Sequence, residues 1–254
     1  MILAVVIGNT NIKIGTFEKD FTNLIRLATD NNRTTEQYAA DINSILLLKN
    51  INLSKFSGSV ISSVVPELTE KIFKAVKISI NNDPLVIGID IKTGLNINID
   101  APSSLGADLI AGAVGAKAKY SYPCIIFDFG TATTASVIDK SGNFIGGAIM
   151  SGVNISLAAL ADKTAQLPPV SIDFPKSIIG KNTYDSMLSG AVFGAAGAID
   201  GFCDRIEDDI GASALCIATG GIAKFILPYC RHRIIYDEYL ALEGLVEIYR
   251  LNRE

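Results

Sequence analysis

Two short stretches carry the residue types that phosphoryl chemistry needs. The first is Gly8-Asn9-Thr10-Asn11, between the apolar run Ile2–Ile7 and a second run from Ile12 to Phe17. The second is Gly130-Thr131-Ala132-Thr133, between the apolar run Cys124–Asp128 and a returning run to Ile138. Laid over each other, Gly8 matches Gly130, and Val6 falls where the second copy has Asp128. Tight turns of glycine and hydroxyl residues present successive backbone N–H groups, a concavity suited to anions and notably to phosphate. Gly8, Asn9 and Thr10 can hold one end of a polyphosphate, and Gly130, Thr131 and Thr133 the other. Lys13 can add positive charge. Moving a phosphoryl group requires positioning, nearby cations and a base for the attacking hydroxyl. Asp108, in Leu105-Gly106-Ala107-Asp108, and Asp128 are the acids placed for such work.

Each feature also has a plainer reading. Hairpin turns with glycine are common, and an aspartate at a helix start is usually a dipole partner. Thr219-Gly220-Gly221 can be a simple strand-to-helix turn, although a glycine pair also lets a flat ring approach the backbone. Asp128 is harder to explain structurally, because an unpaired buried charge is costly. The recurrence of the turn favours a two-sided anion site over two unrelated hairpins.

The elements that must position these residues follow from hydrophobic periodicity. Thr34 or Thr35 caps a helix to about Lys49, with Tyr38, Ile42, Ile45 and Leu46 on its buried stripe. Ser59–Val65 reads as a strand, Pro66 opens a helix to about Lys77, and 85–89 reads as a strand. Ser103 or Ser104 leads into a helix carrying Asp108. In the second half, strands are expected at Cys124–Asp128, Thr134–Ile138, Phe144–Met150 and Leu215–Ala218. Helices are expected at about Ile155–Asp162, Tyr184–Asp208 and Tyr239–Leu251. A strand–glycine–strand unit therefore occurs twice, and repetition is weighed before a fold is chosen. The pattern predicts an α/β protein of two lobes, residues 1–119 and 120–254, in the actin-like, sugar-kinase-like (ribonuclease H-like) class. A Rossmann fold fits poorly, because its glycine turn should lead into a helix; here a strand pattern follows Gly8.

The chain has 254 residues, 49% hydrophobic and 19% charged, with a formal net charge of -4. That composition supports a large core and lacks the basic patch of a nucleic-acid binder. Phe144–Ala161 is uncharged but broken by glycines and polar residues, so no membrane span is expected there, and no secretory signal pattern opens the chain. The four scattered cysteines, Cys124, Cys203, Cys216 and Cys230, read as reduced core thiols of a cytoplasmic protein. The single His232 has no His or Cys neighbour at metal-ligand spacing, so no zinc site is expected.

Taken in order, the motifs resemble those of the type III pantothenate kinases, nearly end to end. The pieces are Gly8-Asn9-Thr10 with Gly15; Ile61-Ser62-Ser63-Val64-Val65-Pro66; Gly106-Ala107-Asp108; Asp128-Phe129-Gly130-Thr131-Ala132-Thr133; Gly146-Gly147-Ala148-Ile149; Leu167-Pro168; Gly180, Thr183, Met187 and Ser189-Gly190; Ile199-Asp200-Gly201; Thr219-Gly220-Gly221; and Leu242-Glu243-Gly244-Leu245 with Ile248-Tyr249. The resemblance implies a cytoplasmic homodimer that uses ATP to phosphorylate pantothenate to 4'-phosphopantothenate, for coenzyme A synthesis, with Mg2+ and a monovalent cation (K+ or NH4+). It implies Asp108 as general base, Asp128 at the monovalent cation, and adenosine near Gly220 and Gly221. Gly106, Asp108 and Thr183 would line the pantothenate pocket, Thr183 that of the neighbouring subunit.

Four departures fall in these motifs. The family has an acid where this chain has Val6, an arginine where it has Leu109, and Tyr-Asp-Asn-Pro where it reads Ile99-Asp100-Ala101-Pro102. Ser151 stands where a proline is usual. These changes imply a weakened kinase, or alternatively an inactive paralogue that binds nucleotide or a partner, or a kinase for a different small substrate.

Overall fold

A computed structural model describes residues 1–88 and 90–253; of the expected 85–89 strand, residue 89 lies outside the described residues. The chain forms two compact units. The first comprises Met1–Leu95, Asp100–Lys119 and Leu240–Glu254, and the second Asn96–Ile99 and Tyr120–Tyr239.

In the first unit the hairpin β1 (Ile2–Ile7) and β2 (Asn11–Phe17) is extended by β3 (Phe21–Ala28). β3 was not legible beforehand: Thr22, Asn23 and Arg26 interrupt its apolar residues, as suits an edge strand with a solvated face. Helix α1 (Thr35–Leu48) starts with a capping box between Thr34 and Gln37, which satisfies two otherwise orphaned N–H groups. β4 (Gly58–Ser63) pairs parallel with β1, and α2 (Pro66–Ile80) opens on proline and closes on left-handed Asn81. β5 (Leu85–Val86) completes the sheet order β3-β2-β1-β4-β5. One face of this sheet, through Leu3, Val5, Ile7 and Ile61, packs on Tyr38, Ile42, Leu46, Leu68 and Ile72 of α1 and α2.

β6 (Asn96–Ile97) belongs to the second unit's sheet, and the chain returns to the first unit with α3 (Ala107–Lys119). The final helix, α7 (Leu240–Leu251), packs on α3. A Cβ on Gly115 would lie 2.2 Å from the Leu240 carbonyl oxygen, and one on Gly244 would lie 1.9 Å from that of Ala111. Two helices this close require glycine at the crossing.

The second unit repeats the first. β7 (Cys124–Phe129), β8 (Ala132–Ile138) and β9 (Asn143–Ser151) form an antiparallel meander. After α4 (Val153–Lys163) and α5 (Thr183–Ile210), β10 (Leu215–Thr219) pairs parallel with β7. α6 (Ala223–Ile226) leads to β11 (Ile234–Tyr236), parallel to β10. The order β11-β10-β7-β8-β9-β6 contains the same arrangement as the first sheet, with β6 added at one edge. Its core joins Ile125, Phe127 and Phe129 to Val192, Ala196 and Ile199 of α5. α5 is capped by Asn182, whose side chain accepts from Asp185 N, and ends on left-handed Gly211. It is long and apolar enough to cross a membrane, but it buries Met187, Leu188, Val192, Ala196, Ile199 and Cys203, as the core helix of this unit.

α7 (Leu240–Leu251) corrects the expected lobe boundaries: it belongs with the first unit, not with residues 120–239. Its Leu242, Leu245, Val246 and Tyr249 are buried. A Cβ on Gly15 would meet Leu242, and one on Gly58 would meet Tyr249. This amphipathic stripe covers the sheet face opposite α1 and α2.

Candidate active site

The second glycine turn is the better furnished. Asp128 is the next-to-last residue of β7, register-paired with Thr134 on β8 and with Thr219 on β10. β10 ends there and the chain turns through Gly220 with φ +96°. A Cβ on Gly220 would lie 2.5 Å from the Phe129 carbonyl oxygen and 2.8 Å from Asp128 Oδ1, so only glycine fits between β7 and this carboxylate. Tyr236 Oη donates to the Gly220 carbonyl at 3.3 Å. Gly130 N donates to the Ala132 carbonyl at 3.0 Å, closing a three-residue turn. Thr131 is exposed and Thr133 is buried. Asp128 and Gly220 thus meet at the ends of β7 and β10, with Gly130 and Thr131 in the adjoining turn; Thr133 pairs with Phe129 and faces the other side of the sheet.

The first turn has the same frame and different contents. Gly8 N donates to the Asn11 carbonyl at 3.0 Å, and Thr29 Oγ1 donates to the Gly8 carbonyl at 2.6 Å. Asn9 and Thr10 are exposed at its tip. Val6 is register-paired with Lys13 on β2 and Ser62 on β4, so these three side chains share a face of the sheet. That face is the one covered by α7. The Ser62 hydroxyl is buried and has no hydrogen-bond partner among the described residues, which sequence reading did not single out. In the second unit the counterpart of Val6 is Asp128, and that of Ser62 is Thr219. The buried Thr134 Oγ1, next to Asp128, is likewise without a partner.

Asp108 occupies the first turn of α3, half-buried, and its Oδ1 accepts from Leu109 N at 2.9 Å. A Cβ on Gly106 would lie 2.6 Å from that oxygen. Leu109 is also half-buried. Thr183, the first residue of α5, is exposed. A cavity of about 280 Å³ opens in the second unit beside Phe129, Thr133, Met150, Ser151 and Gly194. It falls short of the usual ligand-pocket range of roughly 300–1,000 Å³.

The oxygen donors at the second turn, the Asp128 carboxylate and the neighbouring Phe129 carbonyl, fit a hard cation. The first turn offers a metal only neutral oxygens: Gly8 to Lys13 contain no carboxylate, and the Val6 side chain has no ligand atom.

Comparison with known proteins settles the family. The type III pantothenate kinase family model matches residues 2–205. The type III pantothenate kinase of Exiguobacterium sibiricum is 41% identical over 254 residues, with both chains covered in full. That of Geotalea daltonii is 40% identical over 257 residues, again with full coverage of both. The chain belongs to the type III pantothenate kinase family. Among solved structures, the polyphosphate/ATP-glucomannokinase of Arthrobacter sp. strain KM is similar with a TM-score of 0.50 at 16% identity, covering 98% of each chain. Component A of the Acidaminococcus fermentans (R)-2-hydroxyglutaryl-CoA dehydratase gives 0.58 at 13%, covering 99% of this chain and 98% of that one. These likenesses bear out the actin-like, sugar-kinase-like fold class. Membership of the pantothenate kinase family implies use of ATP with a divalent metal and pantothenate as substrate.

Proposed function

We propose that this chain transfers the γ-phosphoryl group of ATP to the primary hydroxyl of pantothenate, forming 4'-phosphopantothenate for coenzyme A synthesis. The observation that carries the reading is the Asp128 carboxylate held against Gly220 at the ends of two parallel strands, in a chain that matches its kinase relatives over their full length. Backbone N–H groups of Gly8, Asn9 and Thr10, with Lys13, take phosphate oxygens on one turn. Gly130, Thr131 and Thr133 take them on the other. Gly220 and Gly221 accept the adenosine end, because the absence of side chains allows a flat ring to approach. Asp108 accepts the hydroxyl proton as the new O–P bond forms and ADP leaves; Gly106 and Thr183 line the pantothenate site.

Asp128 and the Phe129 carbonyl would hold a monovalent cation, K+ or NH4+. When bound, that cation and Mg2+ on the ATP phosphates supply positive charge that offsets the phosphoryl oxygens. With Val6 in the first turn, Mg2+ relies on ATP oxygens and water, a mode usual for this ion. A homodimer, in which Thr183 reaches the neighbour's pantothenate site, and a cytoplasmic location complete the proposal.

The test is direct detection of phosphopantothenate from the purified chain with ATP, pantothenate, Mg2+ and K+ or NH4+. Asp108→Asn should lower turnover roughly 10²–10⁴-fold, the range for a lost general base, while ATP affinity stays nearly the same. Unchanged turnover in that variant removes Asp108 as base. No product from either the native chain or Val6→Asp would overturn the activity, leaving a nucleotide-binding paralogue or another substrate.

A further inference from the structure

The second unit holds a cluster of metal-ligating side chains remote in sequence and outside the proposed chemistry. Cys203 on α5 and Cys216 on β10 are buried, with their sulfurs 3.4 Å apart. His232, in the segment leading into β11, brings a ring nitrogen within 4.8 Å of both sulfurs. His232 has no His or Cys neighbour at metal-ligand spacing in the sequence, and its cysteine neighbours are found only in space. Residues 203, 216 and 232 are not at any motif spacing; the parallel pairing of β10 with β11 and the packing of α5 bring them together.

From this grouping we infer that Cys203, Cys216 and His232 form a binding site for a thiophilic divalent cation, with Zn2+ the best match. A zinc–sulfur bond is about 2.3 Å, so two thiolates on a tetrahedral zinc lie about 3.8 Å apart. The observed separation needs only a few tenths of an ångström of adjustment. The imidazole is already oriented: its Nε2 hydrogen-bonds Asp204 Oδ1 at 2.8 Å. With the proton on Nε2, the lone pair rests on Nδ1, and a carboxylate behind a ligating histidine is a recurrent second layer at zinc. Two sulfurs and one imidazole select zinc over Mg2+ or Ca2+, which take oxygen donors. Water fills the fourth position on the side where His232 is partly exposed. Zinc binding there releases the thiol protons and needs no oxidant. It ties α5, β10 and the segment before β11 at one point, and β10 is the strand whose end carries Thr219-Gly220-Gly221.

The test uses the full reduced chain stripped of metal, with Co2+ as an optical probe for Zn2+. One equivalent of Co2+ should produce a sulfur-to-cobalt charge-transfer band, which one equivalent of Zn2+ abolishes. Cys203→Ser and Cys216→Ser should each lose the band. His232→Ala should weaken binding at least about tenfold, the lower end for a disturbed metal shell. Cys124→Ser, on the neighbouring strand, should keep it. No band in the native chain, or a band that survives both serine substitutions, overturns the site. If the serine variants do not fold, X-ray absorption on the zinc-loaded native chain decides. Two sulfurs and a nitrogen around zinc support the inference; an oxygen-only shell defeats it.

Discussion

The two glycine turns occupy equivalent places in equivalent sheets, yet only one carries a carboxylate. β1 and β7 each pair antiparallel with the next strand and parallel with a later one, and Val6 and Asp128 stand two residues before their glycines. Around Val6 lie Lys13 and a buried Ser62 hydroxyl without a partner. Around Asp128 lie Thr134, Thr219 and Gly220, which packs closely on the carboxylate. The difference teaches that the backbone frame does not need the acid. A valine fills the first position without disturbing the register. The Ser62 hydroxyl is a polar group on the same face as Val6.

The comparison is broken most sharply through the acids themselves. Asp128→Asn should lower phosphopantothenate formation by roughly 10²–10³, the cost of one lost electrostatic stabiliser. Val6→Asp should raise it, up to a similar factor, by giving the first turn the carboxylate of the second. If Val6→Asp leaves the rate constant for turnover unchanged, the first turn contributes only its backbone. Next in size is Gly220→Ala. With φ +96° and a Cβ 2.5 Å from a carbonyl oxygen, it should cost at least about 1–3 kcal/mol, the range for forced backbone strain, measured by denaturant unfolding. By contrast, a Cβ on Gly130 meets nothing closer than 3.4 Å, so Gly130→Ala should leave stability nearly intact.

A smaller effect separates the two units again. Ser62→Ala removes an unpaired buried hydroxyl and should stabilise the chain by about 1 kcal/mol, read as a raised unfolding midpoint. No gain would mean that the hydroxyl has a partner in solution. The smallest difference lies in the hairpin turns. In the second unit Asp139 caps the β8–β9 turn, accepting from Ser141 N, Asn143 N and Asn143 Nδ2. The Asn143 N–H foremost, with the other donors, holds its carboxyl below the usual range. A depressed folded-state pKa adds stability that is present above the unfolded value of about 3.9 and fades as pH falls through the folded one. Unfolding between pH 5 and 2 should show this loss in the native chain and not in Asp139→Asn.

Much of this arrangement was legible from local signals. Alternating apolar runs around Gly8 and Gly130 marked both hairpins, Thr34 and Pro66 marked helix starts, and an aspartate closing an apolar strand marked Asp128. Those signals are local because hydrogen-bonding periodicity and capping involve residues within a turn or two of each other. The β3 edge strand, with mixed polar residues, and the two- and three-residue strands β6 and β11 gave no such signal. They are strands because a neighbour supplies their hydrogen bonds.

By itself, the sequence determined that a strand–glycine–strand pattern occurs twice and that Val6 stands in one copy where Asp128 stands in the other. Only the tertiary structure decided that α7 returns to the first unit and that Ser62 lies beside Val6. It alone placed Gly220 against Asp128 and brought His232 to Cys203 and Cys216. These are long-range pairings, set by which apolar faces bury each other and which strand edges hydrogen-bond. Neither is encoded in the spacing of residues along the chain.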